Sequence, residues 1–321
     1  MSHSQIQTPP RPYNAFMLNV GNRHWLYVEE VGSQSGIPVI FLHGGPGSGC
    51  QHSHRSLFDQ ERFHAILFDQ RGAGRSHPYL SRKYNTLAHQ ITDIEAIRRY
   101  LGLNRWLVVG GSWGSTLALA YAQMYPHCVA GLILRAVFLG TRAEVEWAFD
   151  EGPKRFCPDI HAAFVKQLPY SEQEDALQSY ITRLIHPSYS VHFPAALVWN
   201  AYERSLSQLI CKIPDFSEII RTEKRLPPTP LFEAHYISHD FFMKPNQILN
   251  NAHQLASIPG IIVQSRYDLL CPPCNAQNLA ARWKACDLRL IEEAGHAITE
   301  HGVFEALKSA IDTLADEAFS S

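Results

Sequence analysis

The chain has 321 residues, 45% hydrophobic and 18% charged, with a net charge of −2 and a sequence pI near 6.8. That balance fits one large globular unit or a core carrying an insert, and it supplies no strong positive field, which excludes electrostatic partnership with nucleic acid or an anionic membrane surface. No apolar stretch approaches the roughly 20 residues needed to span a bilayer, and Met1–Arg11 lacks a basic flank followed by an apolar run, so the expected location is the cytoplasm.

In chain order, Phe16 to Val31 reads as an antiparallel hairpin turning at Gly21-Asn22. Pro38–Leu42, His64–Phe68, Trp106–Val109 and Val129–Leu134 are short apolar runs. Closed by turns, they predict buried strands of a parallel sheet. Helices are predicted between them. Thr86 to Leu101 carries Leu87, Ile91, Ile94 and Ile97 at near-helical spacing and stops at Gly102, and Ser115 to Met124 stops before Pro126. The alternation predicts an α/β fold with a mostly parallel central sheet flanked by helices. After Gly140 the texture changes. Residues 141–246 are rich in aromatics and prolines, with helix-like stretches and no buried strand pattern, which resumes at Gly260–Gln264 and Leu288–Ile291. The expectation is a core of residues 1–140 and 247–321 interrupted by a mostly helical insert, 141–246, over the carboxyl edge of the sheet, where ligands bind in such folds.

Seven cysteines, Cys50, Cys128, Cys157, Cys211, Cys271, Cys274 and Cys286, form an odd, scattered set that argues against a disulfide framework. Cys271-Pro-Pro-Cys274 has C-x-x-C spacing, but zinc would want a second pair of ligands, and a thioredoxin-like motif should open a helix early in its fold. A wall or packing role is expected for this pair, and no metal.

Gly110-Gly111-Ser112-Trp113-Gly114 matches G-x-S-x-G between a predicted strand and a predicted helix. That context is the signature of the nucleophile elbow of the α/β-hydrolase fold. Serine needs a base, and the base an orienting acid. In this fold the order is Ser, acid, His. Asp268 follows the strand at Ile261–Gln264 and His296 follows the next strand, so both fall at the sheet edge where Ser112 emerges. Asp240, Asp287 and Glu293 are competing acids, and His301 a competing base. The oxyanion donors should be two backbone N–H groups: Trp113, after the nucleophile, and Gly45 or Gly44 in the loop His43-Gly-Gly-Pro-Gly47. That loop fails as a nucleotide fingerprint, because Cys50 stands where its last glycine is required.

These residues resemble the proline iminopeptidases (prolyl aminopeptidases). The matching blocks are His43-Gly-Gly-Pro-Gly47, Asp69-Gln-Arg-Gly-Ala-Gly-Arg-Ser76, Gly110-Gly-Ser-Trp-Gly-Ser-Thr-Leu-Ala-Leu-Ala-Tyr-Ala-Gln123, Arg266-Tyr-Asp268 and Ala294-Gly-His296. The similarity spans nearly the whole chain. It implies release of N-terminal proline from small peptides, a helical cap, and no metal or organic cofactor. It implies that Glu203 and Glu233 bind the free amine of the substrate, which as a protonated secondary amine offers two N–H donors for charge-assisted bonds. It implies that Arg135 and Phe138 line the proline pocket. Cys271 is expected to wall that pocket too, which would make activity sensitive to thiol reagents. The chain departs from the family at Trp147-Ala-Phe149, where tyrosines are usual, at Pro230-Leu-Phe-Glu233 in place of Ala-Arg-Ile-Glu, and at Ser265 in place of Gly. An esterase or amidase with a re-tuned cap, and a non-catalytic scaffold, are the other readings, and self-association into a homo-oligomer is compatible with the sequence.

Overall fold

The computed structural model describes residues 9–319. Met1–Thr8, most of the stretch read above for a leader, lies outside the described residues. β1 (Asn14–Asn19) and β2 (Trp25–Gly32) form the expected hairpin, whose turn takes positive φ at Gly21 (79°), Asn22 (52°) and Arg23 (63°). β3 (Ile37–Leu42), β4 (Phe63–Phe68), β5 (Trp106–Ser112), β6 (Val129–Val137), β7 (Gly260–Ser265) and β8 (Cys286–Ile291) run parallel to one another. The eight-stranded order is β1-β2-β4-β3-β5-β6-β7-β8, with β2 antiparallel to β4.

The apolar runs are continuous because both faces of the sheet are covered. Val39, Phe41, Leu107, Val109, Ile133, Ile261 and Val263 pack with Leu307, Ile311 and Leu314 of the helix Val303–Phe319. Their strand neighbours Ile40, Leu42, Val108, Leu132, Leu134 and Ile262 pack on the other face with the helices Leu87–Tyr100 and Trp113–Met124. Each such fully buried aliphatic side chain is worth about 1.5–3 kcal/mol.

Among the described residues no strand lies between β6 and β7; helices fill the interval, the longest being Tyr189–Leu206. The aromatics of this segment stack on one another and join the apolar cluster on the face of the sheet that carries the helices Leu87–Tyr100 and Trp113–Met124. The Phe164 ring stacks between Tyr180 (4.1 Å) and Tyr202 (3.8 Å), and Phe149 stacks on Trp199 at 4.2 Å. Its seat on the sheet is specific. Phe232 fills the space above Gly47 and Gly72, where an added Cβ would lie 2.4 and 2.7 Å from the ring. The Trp147 indole N–H donates to the Leu269 carbonyl (3.0 Å), and the Ala297 N–H to the Ser207 carbonyl (2.9 Å). The helices therefore rest on the loops after β3, β4, β7 and β8.

The Asp69-Gln-Arg-Gly block braces those loops. Asp69 accepts from the Cys50 N–H (2.7 Å) and from the Arg75 N–H and guanidinium (2.8 and 2.7 Å). Burial pushes its carboxyl up, but the Arg75 bonds, His43 and the backbone donors outweigh burial and hold it below its ordinary value. Arg71 grips Asp93 of the helix Leu87–Tyr100 at 2.5 and 2.7 Å, both side chains buried. Burial, against the pull of Arg71, lifts Asp93 to about 6.

Replacing Arg71 by Met should cost about 3 kcal/mol in a denaturant midpoint, because it strands a buried acid. The penalty should be larger at pH 8 than at pH 5.5, where Asp93 escapes by taking a proton.

Candidate functional site

Four loops at the carboxyl ends of parallel strands build the site. Ser112 ends β5 and caps the helix Trp113–Met124 with φ 57° and ψ −126°, a conformation rare for a residue with a side chain. The glycines around it are sterically required. A Cβ on Gly110 would lie 2.2 Å from the Gly114 carbonyl oxygen, and one on Gly114 would lie 2.1 Å from the Leu42 carbonyl oxygen. Strand, helix and β3 loop thus press together until the turn has no slack, and Ser112 is turned into the cavity.

Asp268 follows β7 and His296 follows β8. The His296 Nδ1 lies 2.9 and 3.0 Å from the two Asp268 oxygens. An acceptor-only carboxylate there makes Nδ1 the protonated nitrogen and leaves Nε2 free to accept. Asp268 is itself fixed by the N–H groups of Leu270 (3.1 Å) and Cys271 (2.8 Å). His296 and Ser112 line one cavity. Of the competing acids, Asp287 bonds Arg289 instead, at 2.8 Å.

The loop after β3 is organised by His43. Its Nε2 accepts the Gln70 N–H (3.0 Å), so its Nδ1 carries the proton and donates to the Gly44 carbonyl (2.9 Å). Burial pushes this imidazole down, keeping it neutral. The Ser48 hydroxyl donates to the same carbonyl at 2.8 Å. Because C=O and N–H point oppositely across a peptide unit, fixing the Gly44 oxygen fixes the Gly45 N–H on the other side. Gly44 and Gly45 both line the Ser112 cavity. The Trp113 N–H heads its helix, where first-turn donors lack intrahelical acceptors; its indole N–H is held by Gln70 at 3.0 Å.

A second cavity opens from Ser112 under the helices. Glu203, Glu233, Phe138, Phe149, Phe241 and Cys271 line it. Glu203 lies on the helix Tyr189–Leu206 and Glu233 on Pro228–Ile237, and the Trp199 indole N–H donates to Glu233 at 2.7 Å. The two carboxyl groups meet. Burial and then the charge of Glu203 hold Glu233 well above its ordinary value, and burial raises Glu203. Both carboxyls are thus pushed toward their protonated forms, Glu233 the more strongly.

The sequence pattern of the alpha/beta hydrolase fold matches residues 37–207. The chain is 39% identical over 94% of its length to a proline iminopeptidase of Xylella fastidiosa strain Temecula1, covering 96% of that protein. It is 36% identical over 93% of its length to one of Arabidopsis thaliana, covering 79% of it. The chain belongs to the proline iminopeptidase family. A solved proline iminopeptidase of Mycobacterium smegmatis superposes with a TM-score of 0.65 at 18% identity, over 96% of this chain and 99% of that one, a likeness of fold.

Against the family expectations, Phe138 lies in the cavity with the glutamates, and Arg135 does not. The Arg135 guanidinium instead lines the His296 side and donates to the His296 carbonyl, beneath Gly111. Phe149, at one of the departures from the family, walls the glutamate cavity and backs Trp199. Cys271 stands in the wall as a buried thiol, pushed well up by burial, so thiol reagents would meet a protonated, covered sulfur. Asp268, Cys271 and His296 offer ligand atoms within 4.8 Å of one another, but Asp268 and His296 are spent on each other and the thiol is protonated. Cys271 and Cys274 are free thiols.

Other residues of the site escaped the sequence reading. Ser115 and Thr116 hold the backbone of Phe138, at 3.0 Å on its N–H and 2.7 Å on its carbonyl. Glu144 accepts from Leu139, Thr141 and Asn275, tying the first helix after β6 to the helix Pro273–Ala280 that follows β7. Its signal was present in Thr141-x-x-Glu144, a capping box. Phe241 reaches the cavity from three consecutive residues of positive φ, Asp240, Phe241 and Phe242, for which the sequence carries no signal.

Arg135→Met should lower kcat about 100-fold through a displaced His296 loop and leave KM nearly unchanged. A rise in KM at constant kcat would instead mean that Arg135 touches substrate.

Proposed function

We propose that this protein is a serine aminopeptidase that releases N-terminal proline from peptides through an acyl-enzyme on Ser112. The observation that carries this reading is the carboxyl pair, half-buried Glu203 and buried Glu233, lining the same cavity as the serine. A cation is the natural third member of such a pair, because it relieves both burial and repulsion. The protonated amine of a terminal proline displaces the Glu233 proton and bonds both carboxylates. That leaves the ring against Phe138, Phe149 and Phe241, and its carbonyl carbon at Ser112.

In this mechanism the unprotonated Nε2 of His296 takes the Ser112 proton as Oγ attacks the prolyl carbonyl. Asp268 holds the imidazolium. The N–H groups of Trp113 and Gly45, with Gly44 fixing the peptide plane, receive the oxyanion. His296 then protonates the leaving amine, and a water activated by the same imidazole releases proline. Cys271 closes the pocket wall, and Arg135 is assigned to positioning His296. We further propose that residues 141–246 serve as a cap over a core of 1–140 and 247–321. Among the described residues no helix is long and apolar enough to cross a membrane; with seven free thiols, a reducing compartment such as the cytoplasm is the proposed site of action.

A proline arylamide should be hydrolysed and its N-acetylated counterpart should not, when the purified enzyme is assayed near neutral pH. Equal cleavage of both, or of simple esters alone, would transfer the assignment to an esterase or amidase and strip Glu203 and Glu233 of their role.

The acid limb of the pH profile should separate recognition from chemistry. As pH falls, the raised carboxyl pair fills with protons and loses its hold on an ammonium. For the proline arylamide, kcat/KM should therefore fall at higher pH than it does for an uncharged ester, whose acid limb reports the base alone. Coincident limbs would disprove a part for the pair in binding.

A further inference from the structure

The cavity over Ser112 and His296 does not close at its outer end. Through Asn200 and Arg204 it continues into a groove between the helix Tyr189–Leu206 and the chain that follows it to Pro227. Three cations line this groove, Arg204, Lys212 and Arg225. Among the described residues their side chains make no hydrogen bond or ion pair, whereas Arg55, Arg71, Arg75, Arg98 and Arg183 all hold carboxylates. The two acids of the groove are tied to backbone donors. Glu300 accepts from the Leu209 N–H at 3.1 Å, and Glu223 from the N–H groups of Lys224 and Arg225 at 2.8 Å. Glu223 also feels the Arg225 charge, which leaves Arg204 and Lys212 as the open cations.

The cleft is therefore polarised along its length, with two carboxyls at the inner end, the serine between, and unpaired cations at the outer end. A short peptide at neutral pH has the matching polarity. We propose that this groove is a leaving-group subsite that reads the free C-terminal carboxylate of short peptides, with Arg204, at the junction of the two cavities, as its first contact. The inference rests on the aminopeptidase reading above. An arginine meets a carboxylate with two parallel N–H bonds, and the exposure of the groove keeps the gain modest and salt-sensitive.

The test compares kcat/KM for prolyl-glycyl peptides of two to five residues as free acids and as C-terminal amides. A proline arylamide, which has no carboxylate, is measured alongside. At low salt the acid-to-amide ratio should reach about five- to tenfold at one preferred length. It should fall toward one at 0.5 M salt, and toward one in the triple variant Arg204→Gln, Lys212→Gln, Arg225→Gln. The ratio is taken within each variant, so a general loss of activity cancels. A ratio near one in the wild-type enzyme, or one that survives in the triple variant, overturns the subsite while arylamide cleavage leaves the aminopeptidase reading intact. If the arylamide is not cleaved, that reading falls and the subsite with it.

Discussion

Two carboxyl groups set against each other in one cavity are an unfavourable arrangement, and much of this molecule serves to maintain one. Glu233 is fixed by the Trp199 indole, Trp199 is backed by Phe149, and Glu203 stands one helical turn beyond Trp199. Left free, the two acids would separate or reach water. They stay because the helices carrying them are locked by the stacked rings of Phe164, Tyr180 and Tyr202 and seated on the sheet through Phe232. The aromatic richness of 141–246 is thus less a pocket lining than the stiffening of a charged site. A site held in this state has stored the cost of repulsion and desolvation in advance, so a cation entering it gains more than it would from the same groups in water.

The catalytic side is held by a different kind of constraint. At the elbow the constraint is steric, since the glycines allow backbones to approach to distances that no Cβ would tolerate. Each remaining loop has a polar brace of its own. Asp69 holds the Cys50 end of the loop after β3. Gln264 bonds the Cys271 carbonyl at 2.9 Å and the Val137 N–H at 3.0 Å, linking the acid loop to β6. Arg135 holds the His296 carbonyl. Reaction geometry tolerates errors well below an ångström, and four independent loops meet that tolerance only if each is anchored to the sheet rather than to its neighbours.

The fold, and the gathering of Ser112, Asp268 and His296 at one end of the sheet, were legible because they follow local patterns repeated at a fixed place, apolar runs followed by a turn. Val39 and Phe41 announce a buried strand, and Ser112 announces a turn that only glycine can flank. Asp268 could be preferred over Asp287 from its position after a strand, though only the bond to His296 separates them. Arg135 shows the limit. Its position after β6 is readable, but which of two adjoining cavities its long side chain enters depends on the His296 loop, far away in sequence. Phe241 and Phe232 have no local signature at all, because one depends on strained backbone and the other on glycines in two distant loops. The unpaired cations of the outer groove are equally silent, since a surface Arg in a sequence does not say whether it has a partner.

In the mechanism proposed above, Glu203 is where recognition and chemistry meet. It lines both cavities, and a positive charge on His296 lowers its carboxyl, so the two attract. In the unliganded site burial and mutual repulsion favour a proton on the pair, at Glu233 above all. When an ammonium displaces that proton, the cavity gains one positive and one negative charge and stays balanced. During attack on the carbonyl, an imidazolium then forms beside Glu203 while an oxyanion forms at the backbone donors. In the proposed mechanism Glu203 would face the substrate cation on one side and the transient imidazolium on the other, and would stabilise both. A neutral substrate would leave the Glu233 proton in place, with its hydrogen bond still drawing charge from Glu203, and the imidazolium would be less well supported. On the proposed reading, selection for a free amine is a property of the transition state as well as of binding.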